Sequence, residues 1–152
     1  MTIIETVATL VMLVPAAIWT GIVVLYAIQR VNLWARMPIE QFAVDFRRSV
    51  YRAGPLQPIL AITSLVGSVT FALNSHGTAS IFAWVGAALI VGVVVMSIAL
   101  PERINSQFRR RADGDTPPRA DALRTNWRVL HWIRIGPTVA ALISLMLAPT
   151  FA

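Results

Sequence analysis

The sequence predicts an all-α integral membrane protein, a single domain of four transmembrane helices in a bundle, and three observations predict it. Of the 152 residues, 57% are hydrophobic and only 13% are charged, whereas soluble domains carry about a quarter charged residues. Four apolar runs are long enough to cross a hydrocarbon core of about 30 Å. All thirteen basic residues are arginines, and they fall in two windows, residues 30–52 and 103–134, which lie between the first and second runs and between the third and fourth. Such segregation follows the positive-inside bias, so both arginine-rich connections are assigned to the cytoplasm and both termini to the outside.

The first span covers residues 3–28, an apolar run whose only charge is Glu5 at its start. Its basic residues follow the run, whereas a cleaved signal peptide would carry them in front, so the segment is expected to stay as an anchor. Pro15 is expected to kink it, as a bundle tolerates. Residues 38–52 read as an amphipathic helix with Ile39, Phe42, Ala43, Phe46 and Val50 on one face, opened by Pro38 and stopped by Gly54-Pro55. It is expected to lie along the headgroups or to cap the bundle, with Trp34 and Tyr51 at the same interfacial depth.

The second span covers residues 55–73 and the third residues 81–100, joined by an uncharged link. Thr63, Ser64, Gly67, Ser68 and Thr70, with Gly86 and Gly92 opposite, are small enough to let helices approach closely. Residues 101–121 form a polar, basic loop broken by Asp113-Gly114-Asp115 and Pro117-Pro118. The aspartates echo a fragment of a calcium loop without its other ligands and read as a solvated turn. The fourth helix starts near residues 116–121, runs about three turns along the interface, and spans the bilayer over residues 132–150.

A pI near 11.5 invites nucleic acid as a partner, but the arrangement of the arginines fits membrane orientation and contact with anionic headgroups, and no nucleic-acid binding is expected. The absence of cysteine excludes disulfides, iron-sulfur ligation and thiol nucleophiles, and the absence of lysine excludes Schiff-base chemistry. No phosphate loop, nucleotide fingerprint or serine nucleophile signature is present. His76, in the link on the far side, stands about one membrane thickness from His131, which argues against a shared metal or haem. No cofactor is expected.

The chemistry-bearing stretch is R-T-N-W-R-V-L-H-W-I-R-I-G-P, residues 124–137. Helical spacing puts Trp127, His131 and Arg134 within about 60° on one face. Trp127 and Trp132 also suit an aromatic belt and Arg134 a snorkelling contact, while an imidazole that titrates near neutrality can move a proton.

Together with an apolar helix ending at Pro101 and Asn105 in the basic stretch that follows, W-x-x-x-H-x-x-R at Trp127, His131 and Arg134 resembles the anthrone-oxygenase-like family of small four-helix membrane proteins. Phe42 and Phe46, then G-P-L-Q-P and a span opening at Pro58, agree with the same pattern, and the spacing P-E-R-I-N is longer than members usually show. The resemblance implies oxidation of an anthrone to an anthraquinone by molecular oxygen with no metal or flavin, although many bacterial members have no assigned activity. It implies His131 as the base, Arg134 as the stabiliser of the developing oxyanion, Trp127 as a flat face for the substrate and Asn105 as a hydrogen-bond donor to the substrate oxygen.

Three functions are compatible with these residues: such a cofactor-independent monooxygenase, a non-catalytic membrane subunit or scaffold holding lipid or partner proteins in a homo- or hetero-oligomer, and a binder of quinone or another lipophilic aromatic. The expected location is a bacterial plasma membrane.

Overall fold

A computed structural model describes residues 2–112 and 115–152, and every regular element among them is helical. Asp113 and Gly114, half of the fragment that echoes a calcium loop, lie outside the described residues. Helix α1 (Ile3–Leu25) runs into a π-helical segment, Tyr26–Val31, and then α2 (Asn32–Arg36). Helix α3 (Ile39–Ala53) turns at Gly54 into α4 (Leu56–Asn74), and α5 (Gly77–Ala99) leads into α6 (Pro101–Arg109). After the loop comes α7 (Ala120–Leu147), closed by a 3-10 turn, Ala148–Phe151.

Four helical stretches are long and apolar enough to cross a membrane, which makes this an integral membrane protein. They form a ring in which α1 packs on α4 and α7, and α5 packs on the same two. Consecutive spans alternate in direction, so the ends of α1 and α5 and the starts of α4 and α7 meet at one end of the bundle. Every arginine of the sequence belongs to that end. On the outer surface stand Ile18, Ile62, Val66, Val95, Ile133 and Ile143, all exposed, as side chains that face lipid rather than water should be.

Inside the ring α1 and α4 approach closely. Gly67 sits against the backbone of Met12, where an added Cβ would overlap the Met12 nitrogen, and Ser64 donates from Oγ to the Met12 carbonyl at 2.8 Å. Ser68 is buried on the same stripe. Thr63 and Thr70, expected among the packing residues, instead bond back to the carbonyls of Ile59 and Val66 in their own helix, and Gly92 is exposed. Gly86 does pack, against Leu145. Because backbone lies directly in the way, Gly67→Leu is expected to cost at least about 1–3 kcal/mol of stability, and thermal unfolding in detergent measures it.

A second core covers the arginine-rich end. Phe42 and Phe46 of α3 meet Trp34, Ile104, Phe108 and Trp127 there, with Phe46 5.0 Å from Phe108 and 5.2 Å from Trp127 between ring centroids. The amphipathic helix therefore buries its apolar face against α2, α6 and α7. Trp34, expected at interfacial depth, is instead buried beneath α3, because its indole Nε1–H donates to the Asp45 carboxylate at 2.6 Å. Tyr51 does stay exposed.

The stretch expected as a loop over residues 101–121 also differs, since its first half is α6. Pro101 starts that helix, where a missing N–H costs nothing, and Ile104 and Phe108, four apart, share its buried face. Two apolar residues among so many polar ones leave little periodicity to read.

Several arginines turn out to brace this second core. Arg47 donates to the carbonyls of Arg111 and Ala112 at 2.7 and 2.6 Å. Arg124 donates to the carbonyls of Trp34 and Met37 at 3.2 and 2.7 Å, closing the end of α2, and its guanidinium lies 5.5 Å from the centre of the Phe42 ring.

Candidate functional site

The site lies where the two cores meet, and α7 supplies its spine. Trp127, His131 and Arg134 all point inward, at 8%, 1% and 8% exposure, whereas Trp132 is half exposed. Of the two tryptophans, only Trp132 fits an aromatic belt. Trp127 stacks on the imidazole with ring centroids 4.9 Å apart and planes 23° from parallel.

The hydrogen bonds of His131 define its state. Nε2 lies 2.9 Å from the carbonyl oxygen of Val23, and Nδ1 lies 2.9 Å from Nη2 of Arg134. A carbonyl can only accept and a guanidinium can only donate, so the proton sits on Nε2 and the ring's one free lone pair, on Nδ1, is committed to Arg134. The Val23 carbonyl precedes the π-helical turn of the first span, which makes this bond a clamp between the start of α7 and the end of α1.

Arg134 is the unusual member. Its Nη2 donates to His131, and Nε is buried without a partner. Among the described residues no carboxylate pairs with it. One of five N–H groups is thus satisfied by protein. A guanidinium so deeply buried normally has an anionic or polar partner, because leaving it bare costs several kcal/mol.

What Arg134 faces is a cavity of about 550 Å³, within the range of about 300–1,000 Å³ typical of small-molecule sites. Trp19 and Tyr26 of the first span line one side, and Trp127 and Arg134 another. The corner from α3 to α4, including Pro55 and Pro58, forms a third wall, and the end of α5 with α6 forms the fourth. Most of this lining is apolar or aromatic.

Asn105 and Glu102, one turn apart on α6, bring polar groups to that fourth wall beside Ser97 and Arg109. Trp127 donates from Nε1 to Asn105 Oδ1 at 3.0 Å, and Asn105 donates from Nδ2 to Glu102 Oε2 at 3.1 Å. The other carboxylate oxygen, Oε1, accepts from Arg109 Nη2 at 2.6 Å. A continuous chain of contacts thus runs from Arg109 through Glu102, Asn105, Trp127 and His131 to Arg134.

The structure brings together all four residues singled out in the sequence, but three of them in the wall and one behind it. Arg134, Trp127 and Asn105 line the cavity, and His131 does not. The imidazole supports Arg134 from behind, with no lone pair free for a substrate proton, so the geometry does not offer it as the base. Asn105 spends its carbonyl on Trp127 and one amide hydrogen on Glu102.

Sequence reasoning missed Glu102, Trp19 and Tyr26. Had residues 101–109 been read as a helix, the spacing of three between Glu102 and Asn105 would have put both on one face. Trp19 and Tyr26 are seven apart, a spacing that places two aromatic rings on one side of the first span.

A family model described as Anthrone oxygenase matches residues 46–144. The matched segment contains Glu102, Asn105, Trp127, His131 and Arg134, while Trp19 and Tyr26 lie before it. No curated protein and no solved structure matches the chain.

Proposed function

Because this chain belongs to the anthrone oxygenase family, we propose that it oxidises a lipophilic aromatic ketone or phenol with molecular oxygen, through a carbanion held in the cavity between α6 and α7. The observation that carries this reading is Arg134, a buried guanidinium with no carboxylate partner among the described residues, in a cavity whose lining is mostly apolar or aromatic. Such a site is incomplete until a ligand brings an oxygen that holds or develops negative charge. The arrangement is electrostatic preorganisation: donors fixed in a dry place, aimed at charge that appears during reaction.

An anthrone meets that description. Loss of a proton from the carbon between its aryl rings sends the electron pair to the ketone oxygen, and Arg134 stabilises the oxyanion. The anion passes one electron to oxygen, the resulting radical and superoxide combine at the same carbon as a peroxide anion, the proton taken in the first step returns to it, and loss of water from the hydroperoxide leaves the second carbonyl. One oxygen atom enters the product and the other leaves as water. Trp127 offers an indole face for the flat substrate, Asn105 holds that indole in place, and His131 keeps the guanidinium aimed.

On this reading the substrate arrives from the bilayer, and the arginine-rich end lies on the cytoplasmic side of a bacterial plasma membrane, where exposed Arg48 and Arg52 on α3 contact anionic headgroups. The test is oxygen consumption and quinone formation by the protein in lipid nanodiscs supplied with an anthrone. Turnover well above the spontaneous rate is expected. Saturable binding with only the background rate would favour the quinone or aromatic-lipid binder, and neither binding nor turnover would favour the scaffold.

A further inference from the structure

Among the described residues, Glu102 is the one carboxylate in the cavity wall. Its side chain is 40% exposed, so it meets both the cavity and water. Arg109 and Asn105 each hold one oxygen of the carboxylate, which orients the group while leaving lone pairs free, since two carboxylate oxygens accept about four hydrogen bonds. Arg134 lines the same cavity from α7, seven residues after Trp127, whose indole Asn105 anchors.

A carboxylate base facing a separate oxyanion donor across an apolar pocket is the pairing that removes protons from carbon next to a carbonyl system. We propose that Glu102 and Arg134 make this cavity an enolising site that works without oxygen. The C–H bond of the ring carbon breaks, its proton moves to Glu102, and the electron pair moves through the ring to the oxygen held by Arg134. When the proton returns to carbon from the solvent-equilibrated carboxyl, the ketone is restored with no net change. When it goes to oxygen, the phenol tautomer leaves. No electrons are exchanged and no co-reactant is required.

This inference rests on the reading of the cavity as a carbanion site, and it adds an activity and the group that starts it. Under strict anaerobiosis in deuterium oxide, the protein in nanodiscs should catalyse exchange of the benzylic hydrogens of anthrone, followed by proton NMR. Glu102→Gln keeps an acceptor for Arg109 and is expected to slow exchange about 100- to 10,000-fold, the usual contribution of a general base. Glu102→Ala should recover exchange when formate is added, which a merely structural role for the carboxylate would not produce.

Oxidation in air by the wild type without anaerobic exchange would overturn the inference and leave the oxidation itself standing, by a route in which no carbanion forms ahead of oxygen. Exchange without oxidation would do the reverse. Exchange unaffected in Glu102→Gln, or not rescued by formate in a folded Glu102→Ala, would remove Glu102 from the role.

Discussion

Arg134→Met is expected to lower kcat on an anthrone about 100- to 1,000-fold, the usual effect of deleting one donor to a developing oxyanion, while thermal stability stays level or rises. The two effects diverge for one physical reason. A buried guanidinium with one protein hydrogen bond and no carboxylate among the described residues is a liability for folding, and replacing a buried charge with an apolar side chain of similar volume is often neutral or stabilising. The same bare charge is what the transition state needs. Measuring kcat and the unfolding midpoint on one preparation checks both arms. A large loss of stability would show that Arg134 is satisfied within the fold, and unchanged turnover would remove it from the oxyanion role.

His131→Ala is expected to cost both stability and activity. Removing a fully buried ring leaves a void beneath Trp127, frees the Val23 carbonyl and frees an N–H of Arg134, for about 2–5 kcal/mol in all. Turnover should fall with the aim of the guanidinium. The informative variant is His131→Gln, whose amide can donate to Val23 and whose carbonyl can accept from Arg134. It should recover turnover to within about tenfold of the wild type, because mispositioning by one bond costs roughly the free energy of that bond. An amide cannot take up a proton, so failure of His131→Gln to rescue a folded protein, with loss on the scale of a missing base, would return the proton-accepting role to the imidazole.

Both expectations concern residues whose grouping is legible in the sequence alone. Trp127, His131 and Arg134 share a face because spacings of four and three bring side chains to one side of any α-helix, whatever surrounds it. Their division of labour is not legible there. The resemblance implies a base at His131, and the bond to Val23, 108 residues away in sequence, is what commits the imidazole elsewhere. Glu102 is hidden for a different reason. Its helix is nine residues long, and beyond Pro101 at its start Ile104 and Phe108 alone mark the buried face, so the stretch reads as a basic loop, and the arginines that look like lipid contacts include one, Arg109, that grips Glu102.

The amino-acid sequence by itself determined four membrane spans, the clustering of arginines at one end, the amphipathic character of α3 and the inward stripe of α7, because hydropathy, charge and helical period act locally along a chain. The tertiary structure alone reveals that α3 packs on α6 and Trp127, that Trp34 is buried beneath it, and that a cavity opens between Trp19 on the first span and Glu102 on α6. Voids and unpaired charges arise where several helices meet at specific angles, and the packing that leaves Arg134 without a carboxylate partner among the described residues is a property of the assembled bundle that no single segment encodes.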